Sequence, residues 1–150
     1  MSHVTVIEIE IRDLECLRQA AEDLGLEFRQ GQQTFKWWGH SVGDFPLPEG
    51  FTEADMGKCS HALAVKGKPG AYEVGVVARR DGKAGYILMW DFYGGGKGLQ
   101  AAVGDKCSKL CQKYSEKVVL KHAKPLQAQG WNLQRSAGAN GAVVIKLVRP

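Results

Sequence analysis

The fold is decided near the start of the chain, by residues 4–25, which read VTVIEIEIRDLECLRQAAEDLG. Apolar residues recur mostly at every second position from Val4 to Ile11, which predicts a β-strand with one buried side. Asp13 then stands at an N-cap position, and leucine and alanine residues recur every three or four positions up to Gly25. This spacing predicts an amphipathic helix of about three turns directly after the strand.

Short strand patterns and one further helical pattern fill most of the remaining chain. Asp81-Gly82 lies between two runs of residues that favour β-strands, which is a strong signal for a hairpin. Asn140-Gly141 separates two later runs in the same way. The helical pattern ends at Gly130, and Pro125 is expected to kink or divide it. The elements predicted after the first helix are strands at 26–30, 33–38 and 61–66, a hairpin of 72–79 with 85–92, a helix at 105–129, and a hairpin of 131–136 with 142–149.

This order of elements predicts an α+β fold. The helices are too few and the connections too short for a wholly parallel sheet. We therefore expect an antiparallel or mixed β-sheet with two helices packed on one face, with a ferredoxin-like flavour. A length of 150 residues fits a single domain. Residues 39–58 are rich in glycine and proline, and we expect them to form an ordered loop or a mobile flap.

Composition excludes several classes of protein. With 44% hydrophobic and 24% charged residues, the chain is neither disordered nor fibrous. It has no apolar run near the roughly 18 residues of a membrane span and no secretory signal, so we expect a cytoplasmic protein with no membrane partner. The cysteines lack the paired spacing of a structural zinc site, and we predict neither a metal nor a cofactor.

Several stretches resemble one family. They are the opening Met1-Ser2-His3, the junction Ile11-Arg12-Asp13-Leu14-Glu15 with Asp23-Leu24-Gly25-Leu26, and a closing unit at 110–149 that contains Lys113-Tyr114 and Gln129-Gly130-Trp131. In these stretches the chain is similar to the conserved chloroplast reading-frame family numbered thirty-five, a domain of unknown function, in its bacterial and viral form. The resemblance implies a small soluble single-domain protein, in the host cytoplasm if it is encoded by a virus. It supplies no activity and no catalytic or ligand residues.

Charge is distributed unevenly along the chain. Residues 1–57 carry 4 basic and 11 acidic side chains, a net charge of −7. Residues 58–91 carry 6 and 3, a net charge of +3, and residues 92–150 carry 10 and 2, a net charge of +8. Positive charge is therefore concentrated in the last two fifths of the sequence.

Six lysines of this basic region fall within an arc of about 120° if residues 105–129 form one helix. No acidic residue shares the arc, and a bound polyanion would relieve the repulsion between the lysines. The alternative is a solvated helix face that the acidic N-terminal half neutralises. Lysine favours contacts with phosphates over recognition of specific bases, because it lacks the planar guanidinium group with which arginine forms two hydrogen bonds to guanine. The six lysines are Lys106, Lys109, Lys113, Lys117, Lys121 and Lys124.

Two further features extend the predicted nucleic-acid interface. Lys97 lies in a glycine run, Gly94-Gly95-Gly96-Lys97-Gly98, whose backbone amides can cradle a phosphate or merely form a flexible connector. Trp37 and Trp38 are adjacent in a predicted strand, so their side chains should face opposite sides. We expect one of them to belong to the core and the other to be exposed or covered by the 39–58 loop. An exposed Trp38 would suit a single strand of nucleic acid.

The preferred prediction is a non-enzymatic module that binds a polyanion, most simply nucleic acid. The first alternative is a protein-interaction module, a homodimer or a host-protein binder, that uses the acidic half or an apolar patch around Trp38, Phe45 and Phe51. The second alternative is a small enzyme with its site under the 39–58 loop, where His40, Asp44 and Asp91 would have to meet. No local motif of a catalytic triad is present, so we predict no catalytic residues.

Overall fold

The computed structural model of the chain describes residues 3–39, 46–137 and 143–150. These residues form seven β-strands and three α-helices. In chain order, the elements are β1 (Val4–Ile11), α1 (Leu14–Asp23), β2 (Leu26–Gln30), β3 (His61–Val65), β4 (Val74–Ala78), β5 (Tyr86–Asp91), α2 (Leu99–Val103), α3 (Ser108–Ala128), β6 (Asn132–Ala137) and β7 (Val143–Val148).

Five strands form an antiparallel sheet in the order β1-β5-β4-β3-β2. The predicted hairpin of β4 and β5 is confirmed, with Gly75 opposite Met89 and Ala78 opposite Tyr86. Strands β2 to β5 follow one another as a meander, and β1 completes the sheet beside β5. The α+β class is therefore confirmed. The order of elements contains more strands than the β-α-β-β-α-β order of ferredoxin-like folds.

The two long helices, α1 and α3, lie on one face of this sheet, as predicted. Asp13 caps α1 as its sequence position predicts, because its Oδ1 accepts the N–H of Cys16 at 3.0 Å. The hydroxyl of Tyr114 in α3 accepts the backbone N–H groups of Arg12 and Asp13 at 3.1 and 3.2 Å, which ties α3 to the start of α1. The core on this face contains Leu17, Ala20, Leu63, Val76, Leu88 and Leu110, all fully buried.

The opposite face of the sheet is covered by the long connection between β2 and β3. Phe35 and Trp37 share this face and pack with Met56 and Phe51 against residues such as Met89. Lys58 forms an isolated β-bridge with Thr34. Residues 46–58 of the predicted loop thus contribute side chains to a second core, while residues 40–45 lie outside the described residues.

The strand predicted at 33–38 is wrong. Apart from the bridge at Thr34 and a backbone hydrogen bond from Glu73 to the carbonyl oxygen of Lys36, the N–H groups of this segment donate to side-chain carboxylates and not to a neighbouring strand. The N–H of Lys36 donates to the buried carboxylate of Glu73 at 2.9 Å, and that of Trp38 donates to Asp91 at 3.1 Å. The alternating pattern that suggested a strand reflects the burial of Phe35 and Trp37, since alternate residues also face one way in an extended irregular segment.

The long helix predicted at 105–129 begins three residues later, at Ser108. Lys106 and Cys107 have φ values of +52° and +55°, in the left-handed region, and separate α3 from the short helix α2. Helix α2 itself was not predicted. Pro125 does not divide α3, which continues to Ala128. The consequence for the candidate site is that Lys106 does not belong to the helix that carries the other five lysines of the arc.

The predicted C-terminal hairpin is confirmed as β6 paired with β7, but it forms a separate two-stranded sheet. Its predicted turn at Asn140-Gly141 lies outside the described residues. The hairpin packs beside α3, where Nη2 of Arg135 in β6 lies 2.7 Å from the carboxylate of Glu116. The guanidinium of Arg149 lies over the ring of Trp131, 5.5 Å from its centre.

Candidate nucleic-acid interface

The lysines predicted to form one helical arc fall into two groups. Lys109, Lys113, Lys117, Lys121 and Lys124 belong to α3, while Lys106 precedes α3 and Lys97 precedes α2. The left-handed residues at 106 and 107 cause this division, because they turn the chain before α3 begins. The lysines also differ in whether a carboxylate pairs with them, and this difference does not follow the same division.

The middle of the lysine row on α3 is paired with the acidic residues of α1. Nζ of Lys117 lies 2.8 Å from Asp23, and Nζ of Lys121 lies 2.5 Å from Asp13. The hydrogen bond from Lys121 is the largest cause that lowers the pKa of Asp13 to about 2. The hydrogen bond from Lys117 likewise lowers the pKa of Asp23 below its ordinary value. Here the acidic N-terminal half neutralises the lysine face, as the alternative interpretation anticipates.

The lysines around α2 have no such carboxylate partners within the described residues. The ammonium of Lys97 lies over the ring of Tyr72, 5.5 Å from its centre, and that of Lys109 donates to the carbonyl oxygen of Ala101 at 3.4 Å. The side chain of Lys68 passes Gly98, since a Cβ built there would lie 3.6 Å from its Nζ. We call this group, formed by Lys68, Lys97, Lys106 and Lys109, the α2 basic surface.

The glycine run before α2 is a turn of left-handed backbone. Residues 94–97 all have φ between +55° and +72° and ψ between +15° and +39°. Glycine takes this conformation freely, but a lysine in it costs roughly 1 kcal/mol or more. Lys97 and Lys106 therefore both occupy positions that favour glycine. The carbonyl of Gly96 accepts the N–H of Tyr72 at 2.9 Å, which fastens the turn to the sheet.

Asp91, at the end of β5, organises the surface next to this turn. The residue is fully buried, and its two carboxylate oxygens accept three backbone N–H groups. Oδ1 accepts from His3 at 2.9 Å and from Tyr93 at 3.1 Å, and Oδ2 accepts from Trp38 at 3.1 Å. One carboxylate thus joins three segments that are distant in sequence.

Four aromatic residues lie around this carboxylate, Trp38 by its backbone N–H, and we call them the aromatic cluster: His3, Trp38, Phe92 and Tyr93. The ring of His3 lies 5.0 Å from that of Tyr93 and 5.4 Å from that of Phe92, measured between ring centres. Trp38 is 46% exposed and Tyr93 is 42% exposed. Trp37 is half-buried and packs against the second core, so the two adjacent tryptophans face different surroundings, as predicted.

Sequence reasoning anticipated Trp38 and Lys97 but missed Asp91, which binds the backbone N–H groups of Trp38 and of Tyr93, the residue before the glycine run. The run Trp90-Asp91-Phe92-Tyr93 contains the signal, an acidic residue at the end of a buried strand between aromatic residues. Its partners, His3 and Trp38, are 88 and 53 positions away in the chain. No local pattern links them, so the aromatic cluster becomes visible only in the folded protein.

Of the three residues predicted to meet in a catalytic site, His40, Asp44 and Asp91, the structure describes only Asp91. His40 and Asp44 lie outside the described residues. Asp91 is buried, and its carboxylate is occupied by the three backbone N–H groups. These contacts give Asp91 a structural role, which is to hold three backbone segments together.

Histidine, cysteine and acidic side chains are the usual protein ligands of metal ions. Among the residues that the structure describes, no three histidine, cysteine, aspartate or glutamate side chains group together. The thiol of Cys59 donates to the carbonyl oxygen of Gln32 at 3.2 Å, and burial raises its pKa to about 11. Cys107 is buried in the main core, where desolvation raises the pKa of its thiol well above the ordinary value. His122 in α3 is exposed.

The residues named for a protein-binding patch are only partly available. Phe51 packs in the second core, and the guanidinium of Arg80 lies 4.4 Å from the centre of its ring. Phe45 lies outside the described residues. On the acidic half, Asp13 and Asp23 are paired with α3.

No family model, curated protein or solved structure matches this chain. The resemblance to the reading-frame family numbered thirty-five therefore stays a prediction. Of the helices in the described ranges, none is both long and apolar enough to cross a bilayer.

Proposed function

We propose that this protein binds nucleic acid through the phosphate backbone, and that the α2 basic surface makes the main contacts. The observation that carries the proposal is that the lysines of this surface lack carboxylate partners within the described residues. Lys97, Lys106 and Lys109 have no carboxylate partner in the described residues, whereas Lys117 and Lys121 do. An unpaired lysine can neutralise a phosphate without first giving up an ion pair.

The local charge supports the same proposal. Residues 92–115 contain four lysines and one acidic residue, Asp105. Lysine side chains contact phosphates without reading base edges, so the expected binding depends little on sequence. The far half of α3 contributes less, because a phosphate there has to compete with Asp13 and Asp23.

Backbone strain at Lys97 and Lys106 is a second argument. Glycine would fit both left-handed positions at lower cost, and glycines occupy the positions on either side of Lys97. Strained backbone concentrates at sites where a side chain is needed for function. A positive charge held at these two points is consistent with a phosphate contact.

The proposal is tested by removing charge without disturbing the fold. The double variant Lys97→Gly/Lys106→Gly relaxes two left-handed residues, so it should be at least as stable as the wild type. The matched control, Lys117→Gln/Lys121→Gln, removes the same net charge from the paired lysines. Binding of labelled oligonucleotides is measured by fluorescence polarisation from about 50 mM to about 200 mM salt, the range in which phosphate contacts weaken strongly.

We expect the Lys97→Gly/Lys106→Gly variant to bind about tenfold more weakly at about 50 mM salt. Its plot of log affinity against log salt should be shallower by about 1.5, which is the loss of two counterion-releasing contacts. The control should keep the wild-type slope. The proposal is wrong if the wild type does not bind at low salt or binds independently of salt. Equal losses in both variants would show that the paired lysines of α3 contribute as much as those around α2, and would contradict the α2 basic surface as the main contact.

A further inference from the structure

We propose that the aromatic cluster stacks on unpaired bases, so that the ligand of this protein is a single strand of nucleic acid. This inference rests on the proposed function, because the α2 basic surface would hold the phosphates of the same strand. It adds the class of ligand, which lysine–phosphate contacts alone do not select.

The cluster presents its large rings on an anchored backbone. Trp38 and Tyr93 are the most exposed of the described tryptophan, tyrosine and phenylalanine residues, and their backbone N–H groups donate to the same buried carboxylate of Asp91. The backbone at both positions is thus fixed by a contact that does not involve the side chain. Exposed aromatic side chains on a fixed backbone are what proteins use to bind single strands.

The spacing between rings and lysine fits a nucleotide chain. Lys97 follows Tyr93 by four residues, and the left-handed turn between them is compact. With a rise of about 1.5–2.0 Å per residue, the two Cα atoms lie about 6–8 Å apart. Nucleotides in a stacked strand are about 3.4 Å apart. A base on the ring of Tyr93 would therefore place a phosphate, one or two nucleotides on, within reach of Lys97.

A duplex would not use the cluster. Its bases are stacked inside the helix and offer only their edges in the grooves, so an aromatic ring on the protein surface finds no base face. The lysines, by contrast, can contact phosphates of either a duplex or a single strand. The aromatic cluster therefore predicts a preference for single strands on top of a charge-dependent affinity.

The experiment compares single and double strands on ring-deleted variants. Trp38→Ala and Tyr93→Ala leave the backbone N–H groups that donate to Asp91 in place. Val144→Ala is the control, because Val144 is also 46% exposed but lies on β7. Binding is measured by polarisation with a labelled oligothymidylate of about 15 nucleotides and with a duplex of the same length, which is the size that one small binding module covers.

We expect each ring deletion to weaken binding of the single strand about tenfold. Affinity for the duplex should change by less than about twofold, and Val144→Ala should bind both ligands as the wild type does. In addition, the single strand should quench tryptophan fluorescence of Trp131→Phe but much less that of Trp38→Phe. Thermal unfolding of each variant confirms that its fold is intact.

Three results would overturn the inference. If Trp38→Ala and Tyr93→Ala bind the single strand as tightly as the wild type, with normal salt dependence, the stacking is wrong while the proposed function stands. If both variants lose single-strand and duplex binding equally, the cluster supports the fold and does not stack on bases. If the wild type binds no oligonucleotide, the inference and the proposed function fail together.

Discussion

Asp91 shows how one buried charge can decide the shape of a surface. A carboxylate loses its hydration when it is buried, and hydrogen bonds must replace it. Three backbone N–H groups do so here, and each comes from a different part of the chain. The same contacts fix the start of β1, the end of the 31–38 segment and the start of the left-handed turn. The positions of the exposed rings follow from this single residue.

Asp91→Ala should lower the free energy of unfolding by about 2–4 kcal/mol, because three N–H groups would lose a charged acceptor in a buried place. Urea denaturation of the variant and the wild type measures the change. Asp105→Ala is the matched control, since Asp105 is exposed and forms no side-chain hydrogen bond within the described residues. A loss below about 1 kcal/mol in Asp91→Ala would show that water replaces the carboxylate without cost.

At the scale of elements, the contact between α1 and α3 depends on a residue with two roles. Oδ1 of Asp13 caps α1 through the N–H of Cys16, and Oδ2 receives the ammonium of Lys121. Both contacts favour the charged carboxylate, and together they lower its pKa to about 2. Folding therefore favours the ionised form of Asp13, and the stability it contributes depends on pH.

The variant Asp13→Asn keeps a capping oxygen but loses the charge. Because the folded pKa of Asp13 is lowered, its contribution is complete above the unfolded value of about 3.9 and disappears as pH falls towards 2. Above about pH 5 the wild type should be more stable than Asp13→Asn by about 1 kcal/mol, a modest value because Lys121 is largely exposed. The difference should shrink to near zero at about pH 2. Urea denaturation of both proteins from about pH 6 to about pH 2 measures it. A difference that stays constant with pH would contradict the role of the charge.

The sequence predicts those elements whose determinants are local. The strand β1, the capped helix α1 and the hairpin of β4 with β5 all follow from alternation, an N-cap aspartate and an Asp-Gly turn. The strand expected at 33–38 fails because Glu73 and Asp91 take the place of a neighbouring strand. The arrangement of the candidate site could not be predicted for the same reason, because Asp91 contacts Trp38 and His3, which are 53 and 88 positions away in the chain.

The lysine row illustrates a second limit of sequence reasoning. Helical periodicity places five of the six lysines on α3 correctly. It does not show that Lys106 adopts left-handed backbone, nor that Asp13 and Asp23 pair with two of the others. Both facts depend on how α1 and α2 pack against α3. They move the expected interface from the middle of α3 to its beginning.

At the scale of the whole molecule, two oppositely charged parts of the chain pack against each other. Residues 1–57 have a net charge of −7 and residues 92–150 one of +8. They meet where α1 lies beside α3, at the pairs Asp13–Lys121 and Asp23–Lys117. The overall charge of +4 spreads a weak repulsion over the entire surface, whereas the attraction is concentrated in these short contacts. Attraction should therefore dominate the response of folding to salt.

Added salt should accordingly destabilise the protein. From about 0.01 M to about 0.1 M NaCl the Debye length falls from about 30 Å to about 10 Å, which weakens attraction between partly exposed charges. We expect the free energy of unfolding to fall by about 0.5–1 kcal/mol, since each such pair contributes at most about 1 kcal/mol. Urea denaturation at both salt concentrations measures this change. The variant Lys117→Gln/Lys121→Gln should lose the part of the salt dependence that these two pairs contribute, while ion pairs such as Arg135–Glu116 keep theirs. If salt instead stabilises the wild type, the repulsion of the net positive charge outweighs the contact between α1 and α3, and the lysines of α3 are less neutralised than their distances indicate.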